Sequence, residues 1–176
     1  MPVRVLTAAA VIVLGVLCLA AAPGDAGAPD PGNRAKPELA SDDLSQRAEH
    51  LLRAVVENDP ALADDFFFPE GPFIPLKDVQ DPARYHAQLL ATYHRDIREL
   101  RAKRKDWSQA TFVSFELGTP PTWVAPGKEY NKIGYFRTFH GKLRYRLGER
   151  TFDIDVGTII SWDSRWYVTH LLPIHH

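Results

Sequence analysis

The stretch that decides the fold of this chain is residues 150–172, RTFDIDVGTIISWDSRWYVTHLL. Large side chains at its even positions alternate with small or charged ones at Asp153, Asp155, Gly157 and Ser161, which is the period of a strand with one buried face. The next strand carries Trp166, Val168, His170 and Leu172 on one side. The pattern predicts two antiparallel strands whose even-numbered side chains form the interior face.

The turn between these strands fixes their register. A two-residue loop at Asp163-Ser164 pairs Ile160 with Tyr167 and turns the Trp166 row away from the core. A three-residue loop ending at Arg165 pairs Ile160 with Val168 instead, and Thr158 with His170. We favour the three-residue loop, because a slip by one residue would expose a whole apolar row.

Two further hairpin turns are predicted upstream, at Gly148-Glu149 and at His140-Gly141. The first turn brings Arg144 opposite Asp153 and Lys142 opposite Asp155 on the outer face. Opposite charges across a ladder support this register. They make the basic run of Arg137, Lys142, Arg144 and Arg146 a solvated face with ionic partners. A net charge of -1 also argues against a nucleic-acid partner.

The N-terminal residues predict the compartment. Arg4 precedes an apolar run, so residues 1–22 are interpreted as a signal peptide of an exported, periplasmic or extracellular protein. The cleavage site stays open, and so does a lipid anchor at Cys18; membrane contact is expected only through this segment if it is not removed. Residues 23–40, rich in Pro, Gly and Ala, are predicted to be a flexible linker, and residues 41–176 a single domain.

Helices are predicted before the sheet. Ser41 is a candidate N-cap for a helix ending near Asn58, and Asp81-Pro82 opens the longest helix. The proline-broken passage 66–76 between them is expected to be irregular. Helices followed by an antiparallel meander predict an α+β fold, with the helices packed on a curved sheet.

This order of elements resembles the nuclear transport factor two-like, or cystatin-like, superfamily. The strings KIGYFRTF, GKLRYR and IISWDSRWYVTHL are similar to those of uncharacterised secreted bacterial proteins. The resemblance implies a sheet wrapped into a cone around the long helix, with a cavity inside. Enzymes of that superfamily use a carboxylate base in the cone, whereas Asp153 and Asp155 are predicted to point outward here.

Polar side chains on the predicted interior face mark a candidate ligand pocket. They are His170, Thr158, Tyr145, Thr138, Tyr93 and His86. A buried histidine is commonly a hydrogen-bonded structural residue, but it can also bind a ligand or act as a base near neutral pH. We therefore expect a binding or interaction module, with a small apolar ligand possible. The alternative is an isomerase, lyase or cyclase that uses His170 as base and Tyr145 or Tyr93 as donor.

No cofactor or metal site is predicted, because His170, His175 and His176 have no acid or cysteine spaced with them. The outer face of the predicted sheet is unusually apolar and suggests a homodimer interface. The side chains assigned to it are Ile133, Tyr135, Phe139, Ile159, Tyr167 and Leu171.

Overall fold

The computed structural model describes residues 33–172. Its helices are α1 (Asp42–Glu57), α2 (Glu70–Leu76) and α3 (Pro82–Ala102), with short 3₁₀ helices at Pro60–Ala63 and Trp107–Gln109. Its strands are β1 (Ala110–Glu116), β2 (Thr122–Val124), β3 (Tyr135–Leu147), β4 (Arg150–Trp162) and β5 (Arg165–Leu171). The sheet is antiparallel in the order β1-β3-β4-β5, and β2 also pairs with β3. The predicted α+β arrangement, with helices preceding the sheet, is confirmed.

The helix boundaries follow from their capping residues. The Ser41 hydroxyl accepts the Leu44 amide proton at 3.2 Å, and Asn58 ends α1 in the left-handed conformation. The prediction that residues 66–76 are irregular is wrong for α2. That helix contains a second proline, Pro75, one residue before its end, and this residue lacks the N–H that would bond the Gly71 carbonyl.

The half of the sheet near the β3–β4 turn has the predicted register. Arg144 pairs with Asp153 and Lys142 with Asp155, on a face open to solvent, while Ile154 on the opposite face is buried. The predicted turn at His140-Gly141 is wrong, however. β3 runs straight through it as one long strand, with His140 at a φ of 59°.

The other half of the sheet differs from the prediction. Asp163 and Ser164 both have positive φ and form a two-residue turn, so Ile160 pairs with Tyr167 and the predicted three-residue loop is wrong. Irregularities on either side of Thr158 then restore its predicted pairing with His170. In β4, the side chains from Thr158 to Trp162 consequently lie on the opposite face from the one predicted, whereas Trp166 and Val168 of β5 lie in the larger core as predicted.

Both faces of this half of the sheet are buried. The predicted register assumed that only one face is buried, so that assumption does not hold here. Ile159 belongs to the larger hydrophobic cluster with α1, and its neighbour Ile160 belongs to a smaller cluster with α2. Trp166 and Tyr167, on opposite faces of β5, are 1% and 8% exposed. An apolar row is therefore buried in either register.

The segment before α1 is part of the folded unit. Asn33 is buried, and its side-chain nitrogen donates to the backbone carbonyls of Gly134 and Ser161. Its side-chain oxygen accepts the backbone amide proton of Asp163. The interpretation of residues 23–40 as a flexible linker is thus wrong from residue 33 onward. The predicted signal peptide lies outside the described residues. No helix within residues 33–172 is long and apolar enough to span a membrane.

Candidate functional site

Four of the six predicted pocket residues form hydrogen bonds within the domain. The hydroxyl of Thr138 donates to a backbone carbonyl at 2.5 Å, and that of Tyr93 does so at 3.4 Å. The His86 ring bonds another backbone carbonyl at 2.7 Å, and the Tyr145 hydroxyl accepts from Arg104 at 3.2 Å. Each of these four side chains has a hydrogen-bond partner inside the packed domain, and none of them lines the cavity that contains His170.

The remaining two, Thr158 and His170, line a cavity of about 130 Å³. It lies between helices α2 and α3 and the distal half of the sheet, which is the half farther from the β3–β4 turn. Phe73, Leu89 and Ile160 form its apolar part. Its other ionisable or hydroxyl-bearing walls include Lys77, Tyr85, Glu129, Tyr135, Arg137 and Thr169. The cavity is comparable in size to an engineered protein cavity of about 150 Å³ that binds benzene, so it fits a ligand of about six non-hydrogen atoms.

The irregularity at Gly157 positions this cavity. A Cβ at Gly157 would lie 3.2 Å from the carbonyl oxygen of His170, which is tighter than an ordinary contact. Glycine therefore allows β4 and β5 to approach here while the side-chain alternation changes face. As a result Thr158 and Ile160 line the cavity, whereas Ile154 and Val156 lie in the larger core.

Lys77 is a half-buried cation at the end of α2. Its ammonium lies 5.7 Å from the ring centre of Tyr135 and 6.0 Å from that of Phe73. It has no hydrogen-bond acceptor or carboxylate partner within residues 33–172. Burial lowers the pKa of Lys77, which means that the folded protein bears a cost for holding this charge.

A second cation, Arg137, lies beside an acid and a phenol. The Tyr135 hydroxyl donates to Glu129 Oε2 at 2.8 Å, and Arg137 forms an ion pair with the same carboxylate. The Nε of Arg137 is buried and has no acceptor in the described part of the chain. Burial raises the pKa of Tyr135 to about 12, so this phenol remains a hydrogen-bond donor at neutral pH.

His170 is exposed at the edge of the cavity, contrary to the predicted buried imidazole. Its Nδ1 lies 3.0 Å from the Thr169 hydroxyl. The protein packed around the ring lowers its pKa by desolvation, the Asp96 carboxylate opposes that change, and the charge of Lys77 adds to it. His170 is therefore held toward its neutral form at physiological pH.

The predicted apolar interface is mostly interior. Tyr135, Ile159, Tyr167 and Leu171 are all buried within the chain. Ile133 and Phe139, the other two residues assigned to the interface, are half-buried. Tyr135 and Tyr167 pack in the smaller cluster with α2, whereas Ile159 and Leu171 pack in the larger core. The six side chains therefore do not form one exposed face within residues 33–172.

Sequence reasoning missed Lys77, Glu129 and Arg137 as site residues. Lys77 follows a helix that the prolines concealed, and Glu129 lies in a loop with no periodicity to place it. Arg137 was assigned to a solvated basic face. The alternation of Tyr135, Arg137 and Phe139 was the available signal that these side chains share one face.

No group of three or more potential metal ligands occurs among residues 33–172, and His175 and His176 lie outside that range. Comparison of the chain with protein-family models, with curated proteins and with solved structures finds no match.

Proposed function

We propose that this protein binds a small organic anion in the cavity between α2, α3 and the distal half of the sheet. One observation carries the proposal: two cationic side chains of one small cavity, Lys77 and Arg137, each retain a donor without an acceptor. The Arg137 Nε is a buried donor without a partner, which is costly, and the Lys77 ammonium is partly desolvated. An anion that supplies acceptors therefore gains from both donors.

The charge of the cavity supports an anionic ligand. Two cationic side chains, Lys77 and Arg137, line it against the single carboxylate of Glu129, and His170 is held toward neutrality. A protein cavity with excess positive charge and low water content attracts an anion more strongly than bulk water would suggest.

The size and walls of the cavity limit the ligand to a small molecule. About six non-hydrogen atoms fill it. The apolar side chains Phe73, Leu89 and Ile160 favour a short hydrocarbon part, in keeping with the predicted apolar ligand, while the cations add a charged end. Butyrate is a suitable probe. For a ligand of its size we expect a dissociation constant on the order of 1 mM.

The alternative enzymatic function has less support. His170 lines the cavity, but Tyr145 and Tyr93, its proposed proton donors, do not. The export signal and the likeness to the nuclear transport factor two-like superfamily stay predictions, and anion binding does not depend on them.

The test is isothermal titration of butyrate and its neutral isostere butyramide into the purified protein at about pH 7. We expect saturable binding of butyrate and none of butyramide at the same concentration. Lys77→Met should lower the affinity for butyrate by about tenfold or more, since it removes a charge-assisted hydrogen bond. Lys105→Met, at an exposed lysine outside the cavity, is the matched control. Equal binding of butyrate and butyramide would contradict an anion site.

A further inference from the structure

The carboxylate of Glu129 lies where a ligand carboxylate would bind. It accepts the Tyr135 hydroxyl proton at 2.8 Å and forms an ion pair with Arg137. Both donors belong to the cavity wall, and Tyr135 is itself buried. The Tyr135 and Arg137 donors therefore already bind a carboxylate, and that carboxylate belongs to the protein itself.

The Glu129 side chain is placed so that it can leave without unfolding its loop. It is 34% exposed, whereas the backbone around it is held by the buried Asn131. The Asn131 side chain accepts the Glu129 amide proton at 2.8 Å and donates to the carbonyls of Ala125 and Ile133. Rotation of the Glu129 carboxylate into water therefore requires side-chain torsions only.

Exchange of one carboxylate for another keeps the buried donors satisfied. Tyr135 remains protonated, with its pKa raised to about 12 by burial, and would lose its acceptor if Glu129 left without replacement. A monocarboxylate restores that acceptor and also reaches the unpaired donor of Lys77, which Glu129 leaves without a partner.

Taking the cavity to bind an organic anion as proposed above, we infer that its ligand is a monocarboxylate and that Glu129 is an internal competitor for the same donors. On binding, the ligand carboxylate takes over Tyr135 and Arg137 from Glu129. The hydrocarbon part of the ligand then packs on Phe73 and Leu89. Glu129 thereby sets the apparent affinity, because every ligand must first displace it.

The first test removes the competitor from the full chain. Glu129→Ala should bind butyrate about tenfold more tightly by calorimetry, a factor equal to one lost charge-assisted bond. Butyramide, which has no carboxylate to replace that of Glu129, should still not bind at the same concentration. Glu57→Ala, at an exposed carboxylate on α1, controls for net charge and should leave butyrate affinity unchanged. Equal binding of butyramide and butyrate to Glu129→Ala would overturn the competitor role.

A second test separates displacement from a simple charge effect. In the wild type Tyr135 donates to a carboxylate before and after binding, so Tyr135→Phe should change butyrate affinity by less than about twofold. In the Glu129→Ala background the same substitution removes a bond made only to the ligand and should cost about fivefold. Identical effects of Tyr135→Phe in the two backgrounds would show that Glu129 stays in place.

The outcomes also separate this inference from the proposed function. If butyrate binds neither the wild type nor the variants, both are overturned. If the wild type binds butyrate but Glu129→Ala binds it no more tightly, only the competitor role fails. Should Glu129→Ala prove unfolded by circular dichroism, Glu129→Gln retains an acceptor for Tyr135, and a gain of about threefold is expected. No gain in that variant also overturns the inference.

Discussion

Replacement of Lys77 by methionine should make the unliganded protein more stable while it weakens ligand binding. The ammonium of Lys77 is half-buried, lacks an acceptor among the described residues and has a lowered pKa because of burial. Methionine has a similar length and no charge. Removal of a poorly compensated charge from the interior stabilises a fold when the new side chain fills the same space.

Two contributions decide how much Lys77→Met changes the free energy of unfolding. The two rings near the ammonium lie at 5.7 and 6.0 Å, the outer limit for a cation–π interaction, so their loss costs only about 0.5 kcal/mol. A methionine sulfur recovers about the same amount against those rings. Desolvation of the charge, taken at the low end for a half-buried group, is about 1 kcal/mol. We expect Lys77→Met to raise the free energy of unfolding by about 1 kcal/mol, which corresponds to roughly 3 °C in Tm.

The assay is urea denaturation of the wild type, Lys77→Met and the exposed control Lys105→Met. The control should differ from the wild type by less than about 0.5 kcal/mol. Because the folded pKa of Lys77 is lowered, its destabilising charge is fully present below that pKa. The advantage of Lys77→Met should therefore shrink as the pH rises from the folded pKa toward about 10.4, the value in the unfolded chain. A loss of 1 kcal/mol or more in Lys77→Met would refute the reasoning, since it would make Lys77 a stabilising structural cation.

Three further changes test other parts of the structure. Asn33→Ala should lower the free energy of unfolding by about 2 to 3 kcal/mol in denaturation, because three backbone groups lose their partner; an unchanged stability would restore the flexible-linker interpretation. Gly157→Val should cost about 2 kcal/mol, since its Cβ would meet the His170 carbonyl oxygen at 3.2 Å, whereas Gly71→Ala, with no atom within 4 Å, should cost nothing. Desolvation by the protein around the exposed His170 ring lowers the pKa of the imidazole, and a bound anion should raise that pKa, so butyrate affinity should rise as the pH falls from about 7.5 to about 5.5. That pH dependence should disappear in His170→Gln, and its persistence there would assign the proton to another group.

The part of the sheet that could be predicted from sequence is the part with one polar face. Arg144 opposite Asp153 and Lys142 opposite Asp155 identify the solvent side, and the alternation then fixes which residues are buried. The capped helix starts at Ser41 and Asp81 were likewise predictable, because capping is a local interaction between a side chain and the next turn.

The distal half of the sheet could not be predicted by the same reasoning. Ile159 and Ile160 lie on opposite faces and are both buried, so hydrophobicity no longer tells one face from the other. The change of face at Gly157 follows from irregular pairing on either side of Thr158, which leaves no periodic signal in the sequence.

The cavity was predicted only in part, because its charged residues come from three unrelated places. Lys77 follows a short proline-containing helix, Glu129 lies in a loop and Arg137 in a long strand. Only the tertiary structure brings the three together. Thr158 and His170 pair as predicted although the predicted loop is wrong, because irregular pairing on either side of Thr158 restores that pair.

The most direct test of anion binding is the Nε–H resonance of Arg137 in isotope-labelled protein. Its assignment follows from the signal that is lost in Arg137→Lys. Because this buried Nε has no acceptor in the described structure, its proton should move downfield as butyrate is added and saturate at the dissociation constant found by calorimetry. Butyramide should not move it. An Arg137 resonance that stays constant while calorimetry records butyrate binding would place the anion elsewhere and contradict the proposed site.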